Sequence, residues 1–313
     1  MKLIIIAMLA AVALACRAEP LSFGLFGDLP YNDRERTQLP KLIEEMDREH
    51  LSFVVHDGDI KNGHSECSDA VFKDMLGVFQ ASAHPLIYVL GDNEWTDCHR
   101  KNNGSYDPLE RLEKLRSVFF PDELSLGRQK LQLERQSADP AFAMYRENVR
   151  WIAAGVIFVG LNLPGSDNNY NGTGKEPVPA REFVERSRAN QAWLAQAFDL
   201  ARKRSLRGLM LVIQANPDFD ALQSGKPTPG YRDFLWQLRE ETQAFAGEVV
   251  LVHGDTHSHR IDQPLLDPKT GEPLKNFRRV ETYGSPFPGW VKATADTADP
   301  RVFRFEARPY VTR

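Results

Sequence analysis

The sequence predicts an α/β fold, in which helices cover strands that are buried on both faces. Six apolar runs rich in β-branched and aromatic residues each end in a small polar cluster. These runs are residues 21–26, 51–55, 86–90, 156–161, 209–213 and 249–252. Continuous apolar runs of this length are typical of strands in the interior of a sheet. Segments with helical periodicity separate most of the runs, and this alternation indicates a layered α/β protein.

Five segments have the apolar periodicity of helices: residues 37–50, 69–80, 108–118, 180–204 and 231–246. The first is expected to restart at Pro40, because proline is tolerated in the first turn of a helix. The final third of the chain differs. Residues 278–283, 290–293 and 302–306 are predicted as closely spaced strands without helices, so we expect the sheet to end in antiparallel strands.

Composition limits the classes of protein to which the chain can belong. The 313 residues include 39 Lys and Arg against 43 Asp and Glu, a formal net charge of −4, with 42% hydrophobic and 26% charged residues. This balance excludes a disordered chain, a collagen-like chain and a polytopic membrane protein. A slightly acidic chain without a long basic block is also a poor nucleic-acid binder. Since no repeat or domain boundary is visible, residues 19–313 are predicted to form a single domain.

Residues 1–18 are predicted to be a signal peptide. They contain Lys2, an apolar run over residues 3–15 and small residues at the end, which is the layout of an export signal. Cleavage after Ala18 would release a periplasmic or secreted protein without a transmembrane segment. Two alternatives stay open. The residues before Cys16 resemble a bacterial lipoprotein box, which would place a lipid anchor there, and the segment could instead form a buried helix.

Export affects the interpretation of the cysteines. Removal of the signal leaves Cys67 and Cys98. An even number of cysteines in an oxidising compartment predicts a disulfide, with two unrelated thiols in loops as the alternative.

Two stretches are too rich in Gly, Asn and Pro for regular structure and are predicted as surface loops, residues 98–107 and 164–179. The second contains the run from Gly172 to Lys175, Gly-Thr-Gly-Lys, which has part of the pattern of a phosphate-binding P-loop. Glu176 stands where that loop needs a Ser or Thr, and Asn169 replaces its first glycine. We therefore reject a P-loop.

Polar side chains that follow the predicted strands indicate a functional site, because ligands bind outside the carboxyl ends of strands in open α/β sheets. That edge is expected to collect Asp28, Asp59, Asp92, Asn93, Glu94, Gln214, His253, Asp255, His257 and His259. Clustered carboxylates repel one another unless a cation lies between them. Mixed Asp, Asn and His ligands suit Mn, Fe or Zn, and two such ions can clamp a phosphoryl group and activate a water.

The order of these motifs resembles that of the calcineurin-like metallophosphoesterases. That family has an Asp after the first strand, Gly-Asp after the second, Gly-Asn-His-Asp/Glu after the third, then a lone His and a Gly-His-x-His. The corresponding runs here are FGDLPY at 26–31, HDGDIKNG at 56–63, LGDNEW at 90–95, VIQANP at 212–217 and HGDTHSH at 253–259. The resemblance spans nearly the whole chain after the signal. It implies an α/β/β/α sandwich of helices packed on mixed sheets.

The resemblance also implies roles for individual residues. Asp28 would bind the first of two divalent ions (Mn, Fe, Mg or Zn), Asp59 would bridge the two ions, and His257 would bind the first. A metal-bound hydroxide would attack the phosphorus of a small phosphorylated substrate. The chain would then be an exported, metal-dependent phosphoesterase.

The first and third motifs depart from the family pattern. Pro30 stands where the family has a His, and the adjacent Tyr31 could be a ligand but is expected to be a packing residue. The ligand Asn of the third motif corresponds to Asp92 in strict register or to Asn93 with one residue inserted. We favour Asn93, because its amide oxygen then takes the ligand role.

The last two motifs depart as well. Gln214 replaces the lone His, and Asp255 replaces the first His of the final motif. Both retain oxygen donors, and a carboxylate in place of an imidazole favours Mn, Mg or Fe over Zn. His253 could supply the missing imidazole, although a histidine at a strand end is more often a hydrogen-bonded core residue. For His259 we expect solvent exposure.

The family's general-acid His is missing too. The proton for the leaving group could come from His99, Glu94 or His56, or be unnecessary if that group is acidic. Arg100 is a candidate phosphate ligand, because a Cys67–Cys98 disulfide would hold its loop beside the metals. A mobile surface loop is the alternative. The lone basic residues Lys61 and Arg260 are expected to be solvated.

A catalytically degenerate relative is the competing interpretation. Such a protein would keep the fold and bind a phosphorylated ligand or a surface partner without turnover. The substitutions at Gln214 and Asp255 leave oxygen donors rather than apolar side chains, which favours the enzyme. A serine hydrolase is excluded because no Gly-x-Ser-x-Gly occurs.

Overall fold

The computed structural model describes residues 19–311. The predicted signal peptide at 1–18, including Cys16, lies outside the described residues. Within 19–311, two β-sheets are flanked by helices. No helix in this range is both long enough and apolar enough to cross a membrane.

The first sheet has five strands in the order β12-β11-β1-β2-β3. Its strands are β1 (Leu21–Phe26), β2 (Val54–His56), β3 (Leu86–Tyr88), β11 (Gly289–Ala295) and β12 (Phe303–Pro309). The first three run parallel, and β11 pairs antiparallel with both β1 and β12. The loops that follow β1, β2 and β3 therefore leave the sheet at one edge.

The second sheet has seven strands in the order β4-β5-β6-β7-β8-β10-β9. Its strands are β4 (Glu134–Arg135), β5 (Val149–Ala153), β6 (Val156–Gly160), β7 (Gly208–Val212), β8 (Glu248–His253), β9 (Arg260–Asp262) and β10 (Phe277–Glu281). Strands β6, β7, β8 and β10 are parallel, and the outer strands are antiparallel. This sheet is mixed, like the first.

The helices connect and cover these strands. They are α1 (Asp33–Asp47), α2 (Asp69–Gln80), α3 (Pro108–Phe119), α4 (Gly165–Asn168), α5 (Arg181–Lys203), α6 (Phe219–Gln223) and α7 (Arg232–Ala244). Short 3-10 helices lie at Thr96–His99, Lys101–Asn103, Gln136–Ala138 and Pro140–Phe142.

In the part of the chain that the structure describes, three apolar clusters hold the layers together. Between the sheets, Phe23 stacks on Phe53 with ring centroids 5.0 Å apart, and Phe158 packs edge-on against both. The outer face of the first sheet is buried under α1–α3, and that of the second mainly under α5 and α7. Burial of both sheet faces explains why the central strands are continuous apolar runs rather than alternating ones. The predicted α/β/β/α sandwich is confirmed.

Several element boundaries differ from the prediction. Helix α1 begins at Asp33 instead of restarting at Pro40, because Asn32 caps it by accepting a hydrogen bond from the Glu35 N–H at 3.0 Å. Strand β10 pairs parallel with β8 on one side. Antiparallel pairing in the last third of the chain is therefore limited to the pairs β9–β10, β1–β11 and β11–β12. Strand β5 was not predicted.

Candidate metal centre

The predicted site residues follow β1, β2 and β8 in strained backbone conformations. Asp28, Asp59, Asp255 and His257 all have positive φ, at 49°, 59°, 75° and 59°. Left-handed backbone is uncommon for residues other than glycine, and it concentrates where structure fixes functional side chains. The strand ends thus aim these four side chains at a cost in local conformational energy.

Asp28 lies at the centre of one half of the site. Its carboxylate is fully buried and accepts the Asp255 backbone N–H at 3.2 and 3.0 Å. His257 Nε2 is 3.5 Å from Asp28 Oδ1, and His257 Nδ1 donates to the Ser285 carbonyl at 2.6 Å. That second contact fixes the Nδ1–H tautomer, so Nε2 keeps its lone pair for a ligand on the Asp28 side.

Asp59 lies at the centre of the other half. Its Oδ2 accepts hydrogen bonds from Tyr31 Oη at 2.7 Å and from Asn93 Nδ2 at 2.6 Å, and its Oδ1 accepts the Asn93 backbone N–H at 3.1 Å. Tyr31 Oη is also 3.4 Å from Asp28 Oδ1. The phenol therefore joins the two carboxylates that the sequence predicts as metal ligands.

Two glycines let the backbone approach these carboxylates. A Cβ at Gly91 would lie 2.0 Å from Asp59 Oδ1, and one at Gly254 would lie 2.1 Å from Asp28 Oδ2. Neither position has space for a side chain. Both glycines are therefore required by the close packing of the site rather than by their own φ angles.

Negative charge is concentrated here beyond what the local cations balance. Burial and then the charge of Asp92 raise the pKa of Asp59 well above its usual value, and burial also raises the pKa of Asp28 despite the opposing effect of His257. Burial and the Asp92 charge raise the pKa of Asp255 from 3.8 to about 7. The pKa of His257 rises as well, because hydrogen bonding and attraction to Asp28 outweigh its burial.

The donor set fits divalent metal ions in its chemistry. Several buried carboxylates, one correctly oriented imidazole and amide groups are what hard or borderline divalent ions prefer. A bound cation would offset the burial, and the smaller mutual repulsion, that raise the carboxylate pKa values. Within residues 19–311, however, no three His, Cys, Asp or Glu side chains surround a common point closely enough to hold an ion. The Tyr31 hydroxyl and the Asn93 amide nitrogen donate to Asp59 instead.

Asp92 and Gln214 belong to this site but have partners of their own. Asp92 Oδ2 accepts a hydrogen bond from Ser166 Oγ at 2.7 Å, and its charge acts on Asp28, Asp59 and Asp255. The Gln214 amide oxygen, proposed as a ligand atom, accepts the Gly165 N–H at 2.5 Å. Its Nε2 is buried without a partner, so in this arrangement Gln214 offers a donor.

Glu94 and two of the histidines lie outside the carboxylate cluster. Glu94 Oε1 accepts hydrogen bonds from the Gly91 N–H, the Asp59 N–H and Tyr88 Oη at 2.6, 3.2 and 2.6 Å. It therefore links the loops that follow β2 and β3. His253 is fully buried, and its Nδ1 donates to the Gly254 carbonyl. His56 packs against Phe26 in the core. Burial lowers the pKa of each histidine to about 3.

The predicted disulfide between Cys67 and Cys98 is present, with the Cα atoms 5.8 Å apart. It joins the loops that follow β2 and β3, and its sulfurs lie 3.5 and 3.8 Å from the Asn93 carbonyl oxygen. Lys61 Nζ donates to the same oxygen at 2.7 Å. Lys61 is only 3% exposed, so its expected solvation was wrong: the lysine is an internal support of the Asn93 loop.

His99 and Arg100 lie on the loop that follows β3, next to the disulfide. His99 Nδ1 donates to the Thr96 carbonyl at 2.8 Å, and Arg100 forms an ion pair with Asp97 at 2.6 Å. Neither has a described contact with Asp28 or Asp59. His259 donates Nδ1–H to the Glu281 carbonyl and stacks on Tyr283, away from His257.

Sequence reasoning missed the contribution of Ser166. Its hydroxyl lies 2.7 Å from Asp92 Oδ2 and 2.9 Å from Asp97 Oδ1. Ser166, Asp167, Asn168 and Asn169 all have φ between 51° and 58°, and four consecutive left-handed residues are rare outside glycine. The run of polar residues in the predicted loop was the available signal, but it did not specify this turn.

Comparison with known proteins identifies the fold. No sequence profile of a protein family and no curated protein matches the chain. Among solved structures, a dimetal phosphatase from Danio rerio is similar, with 16% identity, a TM-score of 0.57, and coverage of 92% of this chain and 96% of that one. A structure of PhoD is also similar, at 11% identity and a TM-score of 0.54, covering 93% of this chain and 69% of that one. The chain therefore has the fold of the calcineurin-like metallophosphoesterases.

Proposed function

We propose that the protein is a metal-dependent phosphoesterase that hydrolyses a small phosphorylated substrate. The observation that carries this proposal is the convergence of the Asp28, Asp59, Asp92 and Asp255 carboxylates at one edge of the sheets, with raised pKa values for three of them. Such a cluster is costly without cations and becomes favourable with them. The similarity in fold to a dimetal phosphatase and to PhoD supports the same reaction class.

The residues divide between two metal positions that share Asp59. Asp28 and His257 would hold the first ion, since His257 Nε2 already faces Asp28. Asp255 and the Asp92–Asn93 segment would supply the second. Divalent ions held by these residues would supply charge stabilisation for a phosphoryl group and would lower the pKa of a bound water. Mn, Mg or Fe suits this oxygen-rich set better than Zn.

Other side chains would orient the phosphoryl group. The buried Gln214 Nε2 has no acceptor, so a phosphoryl oxygen would satisfy it and recover the cost of leaving it unpaired. Tyr31 Oη lies between Asp28 and Asp59, and burial and the Asp59 charge raise its pKa well above 10, so it remains a hydroxyl donor. Gln214 Nε2 can hold a phosphoryl oxygen directly, and Tyr31 can do so once its single proton turns away from Asp59; neither group changes its protonation state.

The proton for the leaving group would come from His99 in this scheme. Its Nδ1–H is committed to the Thr96 carbonyl, which leaves Nε2 to carry and release a proton. Glu94 is less suited, because it is fully buried and its Oε1 accepts three hydrogen bonds. An acidic leaving group would reduce the need for any donor.

Export is part of the proposal. The layout of residues 1–18 supports a signal peptide, and a disulfide is expected to persist only in an oxidising compartment. We propose a periplasmic or secreted location, with a lipid anchor at Cys16 as the alternative form.

A binding protein without turnover is the second candidate. The hydrogen bonds that Tyr31 and Asn93 donate to Asp59 favour it, because they satisfy that carboxylate without an ion. Gly91 and Gly254 do not separate the two candidates, because the close packing of the backbone against the carboxylates requires glycine at both positions in either case.

Hydrolysis of p-nitrophenyl phosphate and bis-p-nitrophenyl phosphate tests the choice. Metal-free protein would be assayed alone and with Mn, Fe, Zn or Mg, beside Asp59→Ala and the control Asp299→Asn. Asp299 lies in the turn between β11 and β12, at the opposite end of β1 from Asp28. Metal-dependent turnover that only Asp59→Ala abolishes supports the enzyme. Tight metal or phosphate binding without turnover supports the binding protein.

A further inference from the structure

Glu35 is a buried acidic residue to which the proposed metal centre assigns no role. It lies in the first turn of α1, three residues after the cap residue Asn32, and its side chain is almost fully buried. Its partners among residues 19–311 are hydrogen-bond donors rather than cations. A buried carboxylate without a cationic partner is costly unless its oxygens are satisfied by good hydrogen bonds. The two groups that bond to it therefore indicate why an acid is kept at this position.

One oxygen of Glu35 has a local role at the start of α1. Its Oε2 accepts the Tyr31 backbone N–H at 2.7 Å, while Asn32 Oδ1 accepts the Glu35 N–H at 3.0 Å. This pair of bonds resembles a capping box, in which the third helical residue reaches back to the residues before the helix. The same bond fixes the backbone of Tyr31, whose hydroxyl lies between Asp28 and Asp59.

The other oxygen of Glu35 bonds to a distant loop, which helix capping does not require. Its Oε1 accepts the Ser285 hydroxyl at 2.7 Å, across 250 residues of sequence. The backbone of Ser285 in turn contacts the metal centre. Its N–H donates to the Asp28 carbonyl at 3.2 Å, and its carbonyl accepts His257 Nδ1–H at 2.6 Å. Ser285 is thus bonded to both residues that would hold the first ion.

Close packing makes the position of the His257 ring depend on this loop. A Cβ at Gly284 would lie 2.7 Å from Asp28 Cβ and 2.9 Å from His257 Cγ. The Tyr31 and His257 rings also meet edge to face, with centroids 5.0 Å apart. Glu35 therefore holds, through its two oxygens, the backbone segments that carry or orient both rings.

We propose that Glu35 is a positioning residue of the metal centre. Through the Ser285 hydroxyl it fixes the carbonyl that orients His257, and through its second oxygen it fixes Tyr31. The inference rests on the proposed phosphoesterase function and deepens it, since a histidine that binds metal depends on the partner of its other ring nitrogen. Glu35 itself contacts neither Asp28 nor Asp59 and would not touch the substrate.

A set of variants separates positioning from helix capping. Ser285→Ala removes the hydroxyl and leaves the cap intact, Glu35→Ala removes both bonds, and the double variant combines them. Glu45→Ala is the matched control. Glu45 lies ten residues further along α1, about 15 Å away, and its Oε1 accepts Trp290 Nε1 of β11 at 3.1 Å. It is a similar link between α1 and the C-terminal part of the chain, but at the other end of the helix.

Nitrogen NMR of the His257 ring in metal-free protein, at a pH where the ring is neutral, tests the proposal without a metal. The wild type and Glu45→Ala should show the Nδ1–H tautomer. Ser285→Ala and Glu35→Ala should show a mixture with the Nε2–H form, because Asp28 Oδ1, 3.5 Å from Nε2, competes for the proton once the Ser285 carbonyl is less well held. The same tautomer in all four proteins, or an equal change in Glu45→Ala, would overturn the proposal.

Calorimetric titration with Mn²⁺ measures the consequence for the metal centre. One binding step should weaken roughly tenfold in Ser285→Ala and in Glu35→Ala, the size expected for loss of an outer partner of a metal ligand. The double variant should bind no more weakly than Glu35→Ala, because the two residues act through one hydrogen bond. Additive losses, or wild-type affinity in Glu35→Ala, would overturn the proposal. A wild type that binds no Mn²⁺ would instead count against the proposed function, while the ring spectra would still decide the role of Glu35.

Discussion

Replacement of Asp255 by Asn should stabilise the metal-free protein, and more strongly at high pH. Asp255 Oδ2 accepts the Asn216 N–H at 2.9 Å, a bond that the Asn amide oxygen can retain. Burial and the Asp92 charge raise the pKa of Asp255 from 3.8 to about 7. A raised carboxyl pKa means that the folded state holds a proton which the unfolded state has released. Stability is therefore lost as pH rises from about 4 to about 7.

The magnitude follows from that shift. Each pKa unit corresponds to about 1.4 kcal/mol, so ionisation of Asp255 costs on the order of 4 kcal/mol at pH 8 and on the order of 2 kcal/mol at pH 5. The Asp255→Asn variant should thus gain about 2–3 kcal/mol more at pH 8 than at pH 5.

Urea unfolding in EDTA at both pH values would measure this difference, with Asp299→Asn as a control. An equal gain in unfolding free energy at the two pH values, or a loss of stability at pH 8, would refute ionisation of Asp255 in the carboxylate cluster as the cause of the pH-dependent destabilisation. Added Mn²⁺ should reverse the order at pH 8, because the wild type has the better ligand set.

Three further substitutions test other parts of the structure. The double variant Cys67→Ser/Cys98→Ser, which opens a loop of 31 residues, should lose about 4 kcal/mol in urea unfolding and bind metal more weakly through the Asn93 loop; unchanged metal affinity would contradict that coupling. Arg186→Met should cost about 3–5 kcal/mol, because Arg186 is fully buried and bonds to Asn168 and Glu182; a neutral effect in thermal unfolding would show that the left-handed turn forms without it. His253→Gln should keep the metal content of the wild type whereas His257→Gln loses one ion, by elemental analysis; the reverse result would mean that His253 is the ligand.

The apolar runs made most of the fold predictable. Helix α2 and strand β1 have the bounds that the sequence predicts. An uninterrupted apolar run or a regular helical period shows which residues must be buried, and it therefore determines the type and extent of the element. Strand β5 was missed because it lies near one edge of its sheet and mixes exposed and buried residues, as at Arg150 and Ile152. Its Val149 and Trp151 face the core, but two alternating buried positions are too few to identify a strand from its periodicity.

The site was predictable in its position but not in its contacts. Asp28, Asp59 and His257 follow the ends of β1, β2 and β8 within two to four residues, so strand order alone brings them to one edge of the sheets. The partners of Asp92 and Gln214 come from the turn around Gly165, 74 and 49 residues away in sequence, and its left-handed backbone has no simple sequence signal. The burial of Lys61 depends likewise on the disulfide-linked loops packing over it. Such long-range contacts are set by tertiary structure and not by local pattern.

The number of metal ions bound per chain tests the central claim most directly. Purified protein would be loaded with Mn²⁺, dialysed and measured by elemental analysis, beside Asp59→Asn and Asp299→Asn. We expect two ions in the wild type and in Asp299→Asn, and loss of both in Asp59→Asn, because the proposal assigns the Asp59 carboxylate to both metal positions. A wild type that retains no divalent ion, or an Asp59→Asn variant that retains as many as the wild type, would contradict a metal centre at this edge of the sheets.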